Sequence, residues 1–256
     1  MSDRSICLFP DISLSVIIPG YNEEQNIEST IRRSVASLQT VVGHFEIILI
    51  DDCSNDHTGQ IADSLAREFP VLRVVHNEVN LGQGGCLKRG FSLARYDLIT
   101  HNAMDYPFDF DNLSQLLPHF PAADLVVASR QQHAGYSAYR TLLSWGNRFL
   151  IRLLFGLHIR DYNFVQIYKR EVIQRIHVRS QATAFVTPEY IIRAHHAGYK
   201  VKEVTVDYFP RQKGQASAGK WRNIQESLRD MTLLFLELHF NVPRPETSFS
   251  KSDRTT

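Results

Sequence analysis

The chain has 256 residues, 43% of them hydrophobic, and a formal net charge of +1. That is enough apolar material for one large core, and the near-neutral balance excludes the basic footprint of a nucleic-acid-binding protein. Cys7, Cys53 and Cys86 match neither a zinc knuckle nor a disulfide framework, and the eleven histidines hold no His-x-x-x-His pair.

Residues 1–12 lack the basic-then-apolar layout of a signal peptide and read as an N-terminal extension. Leu14–Ile18 is a short branched apolar run, the pattern of a buried parallel strand, and Pro19 and Gly20 are expected to stop its ladder. Asn22 is placed to cap the following helix, with Glu23 and Glu24 in its first turn; Ile27, Ile31, Val35 and Leu38 recur at helical spacing. A second buried strand, Glu46–Ile50, ends on Asp51 and Asp52. Two strands joined by one helix make a right-handed βαβ unit, so Tyr21, Glu23, Asp51 and Asp52 share one rim of a sheet. That rim is where open α/β sheets bind ligands.

Ser54–Thr58 supplies capping side chains for a helix with Ile61, Leu65 and Ala66 on its apolar face; Val71–Val75 reads as a strand. Asn80–Cys86 is a Gly-rich turn opening a helix, a place where backbone N–H groups can approach phosphate. Tyr96–Thr100 reads as a strand, Leu113–Phe120 as a helix and Asp124–Arg130 as a strand. This alternation predicts a mostly parallel sheet. Beyond Arg130 the order changes, to a helix at Tyr139–Phe155, a strand at Val165–Tyr168, a helix at Glu189–Ala197 and a strand at Lys200–Tyr208. Leu142–Leu157 and Met231–Phe240 are core helices that also keep contact with a membrane surface open, and no run reaches the roughly 20 apolar residues that span a bilayer. The expectation is one domain over residues 13–240, with a nucleotide-binding half at 13–130, an acceptor-binding half at 131–240, and a disordered polar tail at 241–256.

In order and spacing, Val16-Ile17-Ile18-Pro19-x-Tyr21-Asn22-Glu23, Asp51-Asp52-x-Ser54-x-Asp56-x-Thr58 and Asn80-x-Gly82-x-Gly84 resemble family 2 glycosyltransferases of the GT-A fold. Ser129-Arg130, Arg140, Ser144, Asn147, Arg160-Asp161, Glu189, Gly198, Glu203 and Arg211-x-x-Gly214 resemble the dolichol-phosphate mannose synthase and polyprenyl-phosphate glycosyltransferase branch. The resemblance implies a Rossmann-like three-layer α/β sandwich and inverting transfer of a sugar from a UDP- or GDP-sugar to a polyprenyl phosphate or other lipid-carried acceptor. The site would lie on the cytoplasmic face of a membrane that the chain touches without spanning. Pro19, Tyr21, Glu23, Asp51 and Asp52 are implied in base and ribose binding, with Asn102, Arg211 and Lys220 near the diphosphate. Arg130, Arg140 and Ser144 are implied in receiving the acceptor phosphate. A phosphate acceptor is already ionised and needs no base; for a hydroxyl acceptor the candidates are Asp161 and Glu189.

The family's metal-binding Asp-x-Asp is replaced here by Asn102-Ala103-Met104, followed by Asp105. Asp105 is the expected substitute ligand for Mg²⁺ or Mn²⁺, helped by Asn102 or Asp109. The alternatives are a metal-free diphosphate site built from Arg211, Lys213 and Lys220, or a silent nucleotide-sugar-binding subunit. An enzyme with a soluble glycan or small-molecule acceptor is the remaining alternative.

Overall fold

A computed structural model of the protein describes residues 7–130, 138–180, 182, 184–206 and 221–242. Its strands are β1 (Phe9–Gly20), β2 (Val42–Asp51), β3 (Leu72–His76), β4 (Leu98–His101), β5 (Leu125–Arg130), β6 (Val165–Lys169) and β7 (Val201–Val206). They form one sheet in the order β3-β2-β1-β4-β6-β5-β7, parallel except for β6, which runs antiparallel to both neighbours. The two halves of the chain therefore share a sheet, because β6 from the second half lies between β4 and β5 of the first.

The helices are α1 (Ile27–Val41), α2 (Thr58–Glu68), α3 (Gly82–Leu93), α4 (Leu113–Leu116), α5 (Ala138–Phe155), α6 (Arg170–Arg175), α7 (Val186–His196) and α8 (Trp221–Phe240). Alternation along each strand divides the core in two. Leu14, Val16, Ile18, Ile47 and Leu49 face Ile27, Ile31, Leu38 and Leu65 of α1 and α2; Ile17, Ile48 and Ile50 face Leu87 and Phe91 of α3 and the residues of α5–α8. Period-two strands between helical stripes give the three layers. α3 lies so close to β1 that a Cβ on Gly90 would come within 2.4 Å of Ile17.

Several local expectations are corrected. The β1 ladder continues through Pro19 and Gly20, which pair with Ile50 and Asp51. Ile17 O accepts from Asn102 N on the β4 side, so Pro19, two residues on, turns its missing N–H toward the place where β4 has ended. Asn22 does not cap α1, whose N-cap position is Asn26. Leu113–Phe120 is not one helix: α4 is a single turn between two 3₁₀ turns, the second containing Pro118. α8 starts ten residues earlier than the Met231 that its apolar run suggested, at Trp221. α6 was missed, being too short for a periodic signal.

Candidate functional site

The parallel strands bring their carboxyl ends to one rim. His76, Asp51 and Gly20 are in register across β3, β2 and β1; β4 ends earlier, at His101 opposite Ile17, and β5 and β7 end together at Arg130 and Val206. The rim thus carries Tyr21, Glu23, Asp51, Asp52, Asn102, Asp105, Arg130 and Asp161, the last on the segment leading into β6.

Across this rim the loops after β1 and β2 are laced together. Asn22 N donates to Ser54 Oγ (3.0 Å), Asn55 N to Asn22 Oδ1 (2.8 Å), Glu23 N to Thr58 Oγ1 (2.7 Å) and Glu24 N to Asp56 Oδ2 (3.2 Å). The spacing of Ser54, Asp56 and Thr58 therefore serves a loop-to-loop clamp, a role the sequence does not announce. Asn22 joins it at a φ of 55°, the left-handed region that Asn tolerates better than most residues. Tyr21 is left with 46% of its surface exposed, its hydroxyl 3.5 Å from Asn55 Nδ2. Glu23 is half-buried and accepts from Asn26 Nδ2 at 2.7 Å. Pro19 lies in the strand beneath them.

The two aspartates at the end of β2 face different ways. Asp52 is buried, and its carboxylate accepts from Leu81 N (2.8 Å), Gly82 N (2.7 Å) and Asn77 Nδ2 (2.7 Å). It occupies the amino terminus of α3, the favourable end of the helix for a negative group, so these backbone N–H groups meet a protein carboxylate and not a phosphate. Gly82 is required there because its φ is +70°. Cys86 lies beside Asn77, and burial, with Asp52 nearby, pushes its thiol far above the ordinary range, which keeps it un-ionised.

Asp51 turns outward in the sheet to His76, whose Nδ1 lies 2.8 Å from Oδ2; His76 Nε2 lies 3.1 Å from Asp63. The Asp51 contact raises the His76 pKa above its ordinary 6.5, burial opposes it, and Asp63 reinforces it. A raised folded-state pKa means that the added stability is complete below pH 6.5 and is lost as pH rises through the folded value. Wild type is therefore expected to lose melting temperature relative to His76→Gln as the pH is raised above 6.5. The imidazole is 46% exposed, so solvent screening keeps the difference small. A pH-independent gap between the two proteins contradicts the assignment.

After β4, Asn102 is almost fully buried and its side chain points inward, Nδ2 donating to Phe108 O at 2.8 Å. Met104 is buried against Gly20, and its carbonyl accepts from Thr30 Oγ1 of α1 at 2.6 Å. Neither side chain fits a hard divalent cation at the Asp-x-Asp positions: one is an apolar thioether in the core and the other is a neutral amide spent on the loop. Asp109 is committed to Arg33 (2.5 Å) and to capping the turn at Asp111 N (3.2 Å). Among the described residues, no group of three or more His, Cys, Asp and Glu is arranged to hold a metal. Asp105 is half-buried in the turn after Met104.

At the other end of the rim Arg130 Nε donates to Asp161 Oδ2 at 2.6 Å, and its guanidinium lies 5.0 Å from the centre of the Phe164 ring. Asp161 pairs with Arg130 and not with the adjacent Arg160, whose backbone N–H goes to Glu203 at 2.6 Å. Phe164 packs edge-on against Phe108 at 5.8 Å, so the loop held by Asn102 and the arginine at the end of β5 share one aromatic wall. Phe108, Phe164 and Asn77 were missed by sequence reading; the aromatic cluster Tyr106–Phe110 was the available signal. Glu189 lies away from these contacts, fully buried on α7, where it accepts from Ser180 N (2.8 Å), Ser180 Oγ and Arg193 Nε (2.7 Å). Ser144 is half-buried on α5. Arg140 is in the first turn of α5 with its side chain outside the described set, and Arg211, Lys213 and Lys220 lie outside the described residues.

Residues 15–177 match the family described as "Glycosyl transferase family 2". The chain belongs to that family. This glycosyltransferase is 31% identical to "Glycosyltransferase AglD" of Haloferax volcanii over 78% of its own length and 34% of the relative's. It is 28% identical to the "Undecaprenyl-phosphate mannosyltransferase" of Micrococcus luteus, over 78% of this chain and 85% of that one. It thus spans about a third of the first relative and most of the second. In fold it matches the crystal structure of glucosyl-3-phosphoglycerate synthase from Mycobacterium tuberculosis in complex with Mn²⁺, UDP and phosphoglyceric acid. The TM-score is 0.65 and the identity 18%, over 89% of this chain and 78% of the other. The fold is GT-A, as the resemblance implied.

Proposed function

We propose that this glycosyltransferase moves a sugar, with inversion, from a nucleoside diphosphate donor to a polyprenyl phosphate or similar lipid-carried phosphate. The observation that carries the proposal is the shared rim: the Tyr21 and Asp105 loops stand at one end and the Arg130–Asp161 pair at the other, joined through Phe108 and Phe164. The polyprenyl phosphate named for the Micrococcus relative supports the acceptor class, and the UDP in the Mycobacterium structure supports the donor class.

Tyr21 offers an exposed ring face on which a base stacks, with Glu23 and Pro19 below it to border the ribose. Asp51 and Asp52 act on the protein around the site, Asp52 by fixing the start of α3 and Asp51 by anchoring the His76 side chain. Arg130, oriented by Asp161, meets the acceptor phosphate with the planar geometry that suits its oxygens; Arg140 and Ser144 on α5 join it. An acceptor phosphate oxygen attacks the anomeric carbon as the bond to the donor diphosphate breaks, and the electron pair leaves with the nucleoside diphosphate. The nucleophile is already an anion, so positioning and neutralisation of charge do the catalytic work, and neither Asp161 nor Glu189 is needed as a base. Arg211 and Lys220 neutralise the leaving diphosphate. Asp105 would hold Mg²⁺ or Mn²⁺ beside the diphosphate, where the ion would supply further neutralisation of charge.

The test is a melting-temperature screen of UDP, GDP and their sugars, with and without Mn²⁺, followed by transfer of labelled sugar to polyprenyl phosphate. The right nucleotide at a hundredfold excess over its Kd adds about 2.7 kcal/mol, roughly 5–10 °C. Mn²⁺ alone is expected to add nothing, to increase the nucleotide's shift, and to lose that increment in Asp105→Ala. A Mn²⁺ shift without nucleotide contradicts a metal site completed by the diphosphate. Donor binding without transfer to any acceptor, at any metal concentration, contradicts the enzyme reading and favours a silent subunit.

A further inference from the structure

Along α5, Trp145, Phe149 and Leu153 are 58%, 51% and 68% exposed. They recur every four residues and so form one stripe along the helix. The opposite side is core: Ile151 is buried, and Leu150, Leu154 and Phe155 pack around it on the second face of the sheet. Trp145 and Phe149 stack on each other at 5.6 Å with their planes 13° apart, so two large rings stand in water in one fixed arrangement. A helix whose core side is already satisfied does not need a second apolar line for folding. Such a stripe is the mark of an interaction surface.

The charges on the helix say what covers it. α5 carries Arg140, Arg148 and Arg152 and no Asp or Glu. Arg152 is exposed and lies two turns from Trp145, on the edge of the stripe. A second copy of the same face would bring arginine against arginine, whereas an anionic lipid surface complements both the charge and the aromatic line. Tryptophan favours the headgroup region of a bilayer, and arginine can bury its stem while keeping its head among phosphates. Among the described residues no helix is long and apolar enough to cross a membrane, so this contact lies along the surface.

We propose that the Trp145–Phe149–Leu153 stripe of α5 docks on the headgroup region of an anionic lipid bilayer. The same helix reaches the acceptor end of the rim through Arg148 Nη1, which donates to Arg160 O at 3.1 Å, next to Asp161. The docked helix therefore holds that end of the rim at the membrane surface, where a lipid-carried phosphate resides. This purpose rests on the lipid-phosphate reading above; the contact itself is measured without donor or acceptor, so each can fail alone.

The experiment uses the full chain with vesicles of phosphatidylcholine alone or mixed with phosphatidylglycerol. The chain has two tryptophans, so a Trp221→Phe background leaves Trp145 as the reporter. Sedimentation with the anionic vesicles and a blue shift of Trp145 emission are expected, both weakened by salt and by omitting phosphatidylglycerol. Phe149→Ser with Leu153→Ser is expected to lower partitioning by about tenfold or more without lowering the melting temperature, since both side chains are already exposed. Wild type that ignores anionic vesicles overturns the proposal, as does a double variant that binds them like wild type. A concentration-dependent dimer that the double variant abolishes overturns it in favour of self-association. Normal vesicle binding with transfer only to soluble acceptors leaves the surface standing and removes the lipid-phosphate reading.

Discussion

Glu189→Ala is expected to destabilise the protein by about 3–5 kcal/mol, the range for breaking a buried ion pair from one side. Arg193 is only 12% exposed and bridges Glu189 and Glu237, at 2.7 Å and 2.6 Å. Burial works against its charge, and the two glutamates outweigh that penalty, so its pKa stands above the ordinary value. Removing Glu189 strips one of these partners and orphans Ser180 N and Ser180 Oγ, whose neighbouring carbonyl also accepts from Lys88 Nζ at 3.0 Å. Glu189→Gln keeps the shape but not the charge, and should fall between wild type and alanine in urea midpoint. A Gln variant of wild-type stability that has lost transfer would instead make Glu189 a general base, and would favour a hydroxyl acceptor.

Asp52→Ala is expected to cost about 3 kcal/mol and to lower donor affinity with it. The carboxylate satisfies two partly buried backbone N–H groups at the start of α3 and the buried Asn77 side chain, and leaving a buried donor without an acceptor costs about 1–3 kcal/mol, less where water can reach it. Because Asp52 N also donates to Gly20 O at 2.9 Å, movement of the α3 turn is transmitted to the end of β1, the residue before Tyr21. Thermal melting measures the first effect and nucleotide titration the second. Reduced affinity at unchanged stability would mean that the carboxylate meets the nucleotide directly.

The resemblance placed Asp52 against base and ribose, and the structure turns its carboxylate to the protein's own helix. The Gly-rich turn, read as an approach for phosphate, is the partner that this carboxylate has taken. The Asn102-Ala103-Met104 departure was legible as a loss of hard ligands, but not as what replaced them: an inward amide holding Phe108 and a thioether packed on Gly20. On α5, the apolar pattern correctly signalled a helix; whether a given apolar side chain went to the core or to solvent depended on which neighbours arrived.

The sequence by itself determined the alternation of strands and helices and the polar stops at the ends of β2 and β4, and with them the rim. Those features are local, since each residue's preference for core or water repeats with the period of its own element. Only the tertiary structure decided the insertion of β6 between β4 and β5, and the partner of each rim side chain. Asp52 and Gly82 are 30 residues apart, and Arg130 and Asp161 are 31 apart. A hydrogen bond across such a distance has no period in the chain; it exists because strand order and crossover handedness bring the two ends to the same edge.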